Sequence, residues 1–130
     1  MGRDFKRIVA WQKADALVLA IYAATRTFPD TERYGLTSQI RHAALSVAAN
    51  IAEGSGRGTD REFLHFLHIA QGSLSEVEYF ISISHRLGYL DATAFTNLEN
   101  CRAEAGRVLH GFIESIAKPQ GNKPQAASGK

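Results

Sequence analysis

The chain has 130 residues, of which 45% are hydrophobic and 22% charged, a mixture typical of one ordinary globular domain with a single core. No apolar run approaches the roughly 20 residues of a membrane span, and the first residues carry no apolar segment of an export signal. Cys101 is the only cysteine, which excludes an internal disulfide. Together these features predict a cytoplasmic protein that makes no membrane contact.

The first predicted helix runs from about Val9 to Phe28. Its apolar stripe recurs at steps of three and four residues, which is the helical period. The stripe consists of Trp11, Ala14, Val18, Ile21, Thr25 and Phe28. We expect the helix to stop at Phe28, because Pro29 disfavours helical backbone in the residue before it.

The second predicted helix, from about residue 36 to 54, is small or apolar on nearly every face. One stripe consists of Leu36, Ile40, Ala44, Val47 and Ile51, and the other faces carry Ala43, Leu45, Ala48, Ala49 and Ala52. A helix of this composition is normally buried all round. Because one bundle core cannot cover every side of it, the pattern predicts a second contact, such as another copy of the chain.

A glycine-rich stretch, GSGRGT at residues 54–59, follows this helix. It lacks the lysine of a nucleotide-binding P-loop and follows a helix instead of a strand, so it is interpreted as a helix-to-helix turn. Thr59 is the expected N-cap of the next helix, and Glu62 completes a Thr-x-x-Glu capping box. Asp60 and Glu62 then occupy the positive helix end that a bound anion would need.

Two polar residues, Asn50 and Glu53, lie one helical turn apart just before this stretch. Glu53 falls in the last turn of its helix, where a carboxylate opposes the helix dipole, so Arg57 or loop N–H groups should compensate it. Both residues either tie down the turn or form a polar ligand or RNA contact beside Arg57 and Arg61. The sequence leaves both interpretations open.

The third predicted helix has a heptad seam and an unusually wide apolar arc. The seam consists of Phe63, Leu67, Ala70, Leu74, Val77 and Ile81. Gly72 lies mid-helix, which predicts a close neighbouring backbone. The surplus apolar surface of the second and third helices predicts an oligomer interface formed by Leu45, Ala49, Ala52, Phe66, Ile69 and Phe80.

The fourth predicted helix begins after Asp91, a good N-cap, and its apolar stripe continues to Ile116. Arg102 falls near that stripe and must therefore reach an edge or meet a carboxylate. The pattern as a whole predicts an all-α fold, an antiparallel up-down-up-down four-helix bundle over residues 1–117. Residues 118–130, with three lysines, two prolines and no large apolar residue, are predicted to be a disordered tail.

No catalytic, cofactor or metal site can be assembled from the titratable residues. Glu62 and His65 match half of a di-iron bundle motif, but the chain has no second Glu-x-x-His. Cys101 has Arg102 beside it and no histidine base, which favours a small core residue over a nucleophile. We therefore predict a protein that is not an enzyme, binds no cofactor and holds no metal.

Basic residues gather at one predicted pole of the bundle, where the chain start, the glycine-rich turn and the end of the fourth helix meet. The candidate nucleic-acid contacts there are Arg3, Lys6, Arg7, Arg57 and Arg61. Symmetric assembly would multiply this pole into a positive ring, which would permit contacts with phosphate groups. The alternative for each of these side chains is a solvated surface charge.

The segments WQKA, FPDTERYGLTSQIRHAA, NIAEGSGR and FLHIAQGSLSE, taken together, resemble the four-helix bundle proteins related to the rRNA intervening-sequence proteins. The resemblance runs from about Phe5 to Ala117 and implies an up-down bundle that assembles as a homopentamer. A related group is similar to accessory proteins of diversity-generating retroelements, pentamers that bind reverse transcriptase and nucleic acid. The chain departs from the family pattern at Arg41-His42, where relatives often have two arginines, and at Val47-Ala48, where they often have Ile-Pro.

These observations predict a non-enzymatic homo-oligomer, a pentamer by the resemblance, that acts as an RNA-associated or ribosome-associated assembly module. Its partners would be further copies of itself and RNA or a nucleic-acid-binding protein. The alternatives are a protein-interaction scaffold that never contacts nucleic acid, an accessory protein of a reverse-transcriptase element, and a bundle that binds a small molecule or metal.

Overall fold

The computed structural model describes residues 3–118, which form four α-helices and two short 3-10 helices. The α-helices are α1 (Val9–Thr25), α2 (Leu36–Ser55), α3 (Asp60–Arg86) and α4 (Ala92–Ala117). One 3-10 helix, Phe5–Arg7, precedes α1, and the other, Asp30–Glu32, connects α1 to α2. No strand occurs within residues 3–118, so the predicted all-α class is confirmed there. The predicted tail lies outside the described residues except for Lys118.

The end of α1 is the one helix boundary that differs clearly from the sequence prediction, since the helix stops at Thr25 and not at Phe28. The N–H of Phe28 donates to the Thr25 carbonyl at 3.1 Å, so these residues form a tight turn. The side chain of Arg41 donates to the Tyr22 carbonyl at 3.4 Å and to Thr25 Oγ1 at 2.8 Å, which satisfies polar groups at the helix end. Phe28 is still buried, as a core residue outside the helix.

The core is one continuous cluster to which all four helices contribute. Helix α2 packs against α1 and α3, and α4 packs against α1 and α3, which is consistent with a bundle. Phe63 is fully buried, and its ring meets Phe112 of α4 edge-on with centroids 5.6 Å apart. Within the described part of the chain, no helix is long and apolar enough to cross a membrane.

Gly54, in the last turn of α2, is closely packed against α3, whereas the expectation of a close neighbour for Gly72 is wrong within the single chain. A Cβ on Gly54 would lie 2.7 Å from Phe66 Cβ and 2.8 Å from Phe63 Cδ1. A Cβ on Gly72 would meet nothing within 4 Å. The backbone of α2 therefore approaches α3 closely beside the turn, and Gly72 is exposed.

Arg102 reaches carboxylates on two helices, as its position in the stripe requires. Its guanidinium pairs with Glu99 on α4 and lies 3.6 Å from Glu78 on α3. The side chain is only 16% exposed. The hydrogen bond to Glu99 is the main cause that raises the pKa of Arg102 further above its ordinary value.

Candidate nucleic-acid interface at the α2–α3 turn

The glycine-rich stretch is a compact turn whose N–H groups point back into α2. The N–H groups of Gly56 and Arg57 donate to the carbonyls of Glu53 and Gly54, at 3.2 and 3.0 Å. Thr59 Oγ1 accepts from the Glu62 N–H at 3.1 Å and so caps α3. Because these two turn N–H groups already bond to the end of α2, they are not available to hold a phosphate.

The two polar residues before the turn have different roles. Glu53 Oε2 pairs with the Arg57 guanidinium at 2.6 Å, which links the last turn of α2 to the loop. The Asn50 amide instead donates to the carbonyl and the hydroxyl of Ser46, at 2.8 and 3.0 Å. Ser46 Oγ lies 2.8 Å from Ser73 Oγ of α3. Glu53 therefore fixes the turn, whereas Asn50 belongs to a polar cluster between the two helices.

An open cleft of about 570 Å³ lies beside this turn. We call it the α2–α3 cleft, and it is lined by Arg57, Thr59, Arg61, Glu62, His65 and Phe66. The Arg57 guanidinium carbon stands 4.6 Å from the centre of the Phe66 ring, and His65 meets the same ring edge-on at 5.4 Å. Phe66, predicted to lie in an oligomer interface, is thus half-buried under Arg57 in this cleft.

The two arginines of the cleft differ in how their charge is compensated. Arg57 has a carboxylate partner in Glu53, but its Nε atom is buried and has no hydrogen-bond partner within residues 3–118. Arg61 is exposed and forms no ion pair with any other described residue. The cleft therefore presents one cation without an ion pair among the described residues, Arg61, and one that is paired with Glu53 and lies over the Phe66 ring, Arg57.

The N-terminal segment docks against the same end of the molecule through Arg3. The Arg3 N–H donates to the Ser55 carbonyl at 2.8 Å, and its guanidinium pairs with Asp60 at 2.5 Å. The guanidinium carbon lies 4.5 Å from the centre of the Phe63 ring. Asp60, at the N-terminus of α3, is therefore already paired with the guanidinium of Arg3.

Of the five candidate nucleic-acid contacts, Lys6, Arg7 and Arg61 have no ion pair among the described residues. Within residues 3–118 the predicted pole holds six basic and five acidic side chains, so a single copy is nearly neutral there. The acidic ones are Asp4, Glu53, Asp60, Glu62 and Glu114. Lys123 and Lys130 of the predicted tail lie outside the described residues.

The residues predicted to form an oligomer interface are exposed to different degrees. Leu45 is 43% and Ile69 40% exposed, and Ala49 is also exposed, whereas Ala52 is half-buried. Phe80 is half-buried against the core. Sequence reasoning missed two exposed tyrosines, Tyr34 and Tyr79, of which Tyr34 is 87% exposed. The one available signal for Tyr34 was an aromatic residue within the polar segment DTERYG.

No group of three or more His, Cys, Asp or Glu side chains within residues 3–118 is arranged to hold a metal ion. Glu62 and His65 both line the α2–α3 cleft, but they share it with Arg57 and Arg61. A divalent cation placed there would face two positive charges, which disfavours its binding.

Comparison with known proteins places the chain in a structural context. The model of a family described as 23S rRNA-intervening sequence protein matches residues 6–111. Among solved structures, a protein of unknown function from the S23 ribosomal protein family of Bacteroides thetaiotaomicron is similar, with a TM-score of 0.74 and 21% identity. The match covers 82% of this chain and 96% of the other, and shows the fold alone. No curated protein matches the chain.

Proposed function

Because this chain belongs to the 23S rRNA-intervening sequence protein family, we propose that it is a non-enzymatic, homo-oligomeric module that associates with RNA. The observation that carries the proposal is the α2–α3 cleft, where Arg57 and Arg61 lie together beside Phe66 and His65. Arginine binds phosphate oxygens through a planar fork of N–H donors and also stacks on bases. The cleft thus offers both kinds of contact at one open surface.

The helices run in an antiparallel up-down-up-down order in this proposal. Three inter-helix contacts support that order: Ser46 meets Ser73, Lys13 meets Glu104, and Glu78 meets Arg102. Gly54 contacts Phe63 and Phe66 near the α2–α3 turn, whereas Ser46 contacts Ser73 farther from it. The contacting positions thus move away from the turn along both helices, as they do in an antiparallel pair. With this order, the chain start, the α2–α3 cleft and the end of α4 share one pole.

Self-association of copies, as a homopentamer, is the second part of the proposal. The exposed apolar residues Leu45 and Ile69, with Ala49, provide a surface on α2 and α3 that a second copy would cover. Assembly matters for RNA binding because one copy is nearly neutral at the cleft pole. Repeating the cleft around a ring multiplies the phosphate contacts made by Arg61 and its neighbours, and affinity rises with that number.

A salt-dependent RNA titration of an Arg57→Gln/Arg61→Gln variant tests the cleft. Both substitutions remove a charge and keep most of the side-chain length. Arg57→Gln also breaks the ion pair with Glu53, so urea unfolding of the variant checks that the fold is retained. We expect weaker binding to a fluorescent RNA hairpin and a plot of log K against log salt that is shallower by about 1 for each arginine. Arg86→Gln, an exposed arginine at the far end of α3, is the matched control. Unchanged binding by the double variant would refute the cleft as the RNA site.

A protein-interaction scaffold is the second candidate, and the ion pairs of Arg3 and Arg57 favour it. Both cations already have carboxylate partners, so they have less to gain from a phosphate. A scaffold that never contacts nucleic acid would make no phosphate contacts, so the salt-dependent RNA titration would detect no binding. Absence of any RNA binding by the wild-type protein would favour this candidate.

A further inference from the structure

A second surface with nucleic-acid chemistry lies where α1 passes into α2. We call it the α1–α2 corner, and it consists of Tyr22, Arg33, Tyr34, Arg41 and His42. Tyr34 lies in the connection between the helices and is 87% exposed. The guanidinium carbon of Arg33 is 5.5 Å from its ring centre, and that of Arg41 is 4.5 Å from the ring centre of Tyr22. Each tyrosine thus has an arginine beside it.

The arginine beside Tyr22 is held in place before any ligand arrives. Arg41 Nε donates to Thr25 Oγ1 at 2.8 Å, and the Thr25 hydroxyl donates to the Ile21 carbonyl at 2.7 Å. Because these bonds fix the guanidinium over Tyr22, a ligand that stacks there does not have to order it. Tyr22 itself is 37% exposed, so part of its ring remains accessible.

The corner borders an open cleft large enough for a small planar group. Its volume is about 410 Å³, within the range of small-ligand sites. Besides the two tyrosines, Ser38 and His42 line it and provide groups that can hydrogen-bond to base edges. Leu45 lines it too and is the residue at which the corner adjoins the proposed assembly face. Thr37 separates it from a neighbouring cleft, and its buried hydroxyl has no hydrogen-bond partner within the described residues.

The balance of charge at the corner favours an anionic ligand. Arg26, Arg33 and Arg41 line the two adjoining clefts, and Asp30 is the carboxylate in their lining. Glu32 lies in the same connection between α1 and α2 but lines neither cleft. Both oxygens of Glu32 are already engaged, one with the Leu36 N–H at 3.1 Å and the other with the Tyr89 hydroxyl at 2.9 Å. These neutral donors leave the Glu32 charge in place, so the three arginines exceed the two carboxylates by one positive charge.

We propose that the α1–α2 corner binds single-stranded RNA by stacking bases on Tyr34 and Tyr22, with Arg33 on the adjacent phosphate. This inference rests on the proposed association with RNA and adds a second site at the opposite pole. Unpaired bases stack on aromatic rings and arginine planes, whereas the bases of a duplex are not accessible to them. A protein hot spot would need surrounding contacts that exclude water. Tyr34 is 87% exposed and shares the cleft with Arg33, Ser38 and His42 as well as with the apolar side chains of Tyr22 and Leu45, so its ring is open to solvent.

Fluorescence anisotropy with a short labelled oligouridine tests the corner through Tyr34→Ala. Loss of one stacked base costs about 1–3 kcal/mol, so the dissociation constant should rise about 5- to 150-fold. Tyr34→Phe keeps the ring and should bind like the wild type. Tyr79→Ala is the matched control, because Tyr79 is also well exposed, at 57%, but lies on α3 away from the corner. Binding of an RNA duplex should be the same for all variants.

The outcomes separate the corner from the α2–α3 cleft. If Tyr34→Ala binds oligouridine as tightly as Tyr79→Ala, the corner is refuted, while an Arg57→Gln/Arg61→Gln variant still tests the cleft. If Arg57→Gln/Arg61→Gln keeps full affinity for RNA while Tyr34→Ala loses it, the corner is supported and the cleft is refuted. Wild-type protein that binds neither RNA refutes both sites. A change in sedimentation of Tyr34→Ala with unchanged RNA affinity would assign Tyr34 to a protein interface instead.

Discussion

At the scale of single residues, the surroundings of Cys101 hold its thiol in the neutral form. Burial raises its pKa, the Glu104 carboxylate raises it further, and Lys13 lowers it. Because the thiolate is the reactive species, we expect slow alkylation by iodoacetamide at neutral pH. The alkylation rate of Cys101, measured by mass spectrometry as a function of pH, should rise at a higher pH in the folded protein than in the urea-unfolded chain.

Substitutions at the two charged neighbours should move this profile in opposite directions. Glu104→Gln removes the negative charge and should shift the rise in alkylation to lower pH. Lys13→Met removes the positive charge and should shift it to higher pH. Lys13 and Glu104 pair with each other at 2.8 Å, so each variant breaks the same ion pair and serves as the control for the other. Identical profiles would contradict the assigned causes.

The hydrogen bond from Tyr89 to Glu32 predicts a dependence of stability on alkaline pH. That bond is the main cause that raises the Tyr89 pKa above its ordinary value, followed by burial and by the charge of Glu32. Because the folded state holds the phenol proton more tightly than the unfolded state, this stabilisation is complete below about pH 10 and is lost as pH rises through the folded pKa.

A Tyr89→Phe variant isolates this contribution. It should unfold at a lower urea concentration than the wild type at pH 8, because it lacks the hydrogen bond. The difference between the two proteins should shrink as the pH rises above 10, where the wild type loses the same bond. A difference that stays constant across this range would show that the phenol proton is not involved.

At the scale of helices, the contact of α2 with α3 depends on the missing side chain of Gly54. A Cβ there would overlap Phe66 Cβ, an atom fixed to the α3 backbone, so the helices would have to separate. We expect Gly54→Ala to lower the free energy of unfolding by about 1–3 kcal/mol. Urea unfolding measures it directly.

Gly72→Ala is the matched control for this prediction, because it makes the same change where nothing lies within 4 Å. There alanine should stabilise α3 by up to about 1 kcal/mol, since it is the better helix former. Equal effects at both glycines would contradict the close approach at Gly54. Destabilisation by Gly72→Ala would place the backbone of a second copy against this position.

The helices themselves were largely predictable, because their apolar residues repeat with the helical period and their caps are local. Thr59 and Asp91 each accept from an N–H three residues ahead, a bond that the sequence spacing predicts. The end of α1 was not predictable, since it depends on Arg41 from the next helix. Asn50 likewise bonds within the α2–α3 contact and not to the nearer turn.

At the scale of the whole molecule, only the contiguous part of the candidate site followed from the sequence. Arg57, Thr59, Arg61 and Glu62 lie within six residues, so one turn brings them together wherever it folds. The docking of Arg3 on Asp60 joins residues 57 positions apart, and only packing shows it. The α1–α2 corner needs Tyr22, Tyr34 and Arg41 from three elements, and no local pattern marks that combination.

Self-association is the property of the whole molecule that the exposed face of α2 and α3 predicts. Leu45→Glu and Ile69→Glu place a carboxylate on side chains that are 43% and 40% exposed in one copy, so each folded chain should tolerate them. In an assembly the same carboxylate would be buried without a partner, which is costly. We therefore expect the wild type to sediment as an oligomer and both variants as smaller species at the same concentration.

Leu87→Glu is the control for this last prediction, because Leu87 is 50% exposed but lies at the C-terminal end of α3, apart from Leu45 and Ile69. Leu87→Glu adds the same charge outside the exposed face of α2 and α3. If that face, and not net charge, controls self-association, this variant should have the sedimentation coefficient of the wild type. Urea unfolding of all three variants would exclude simple loss of the fold. A wild-type chain that stays monomeric at high concentration would contradict the assembly, and with it the repeated cleft on which tight RNA binding depends.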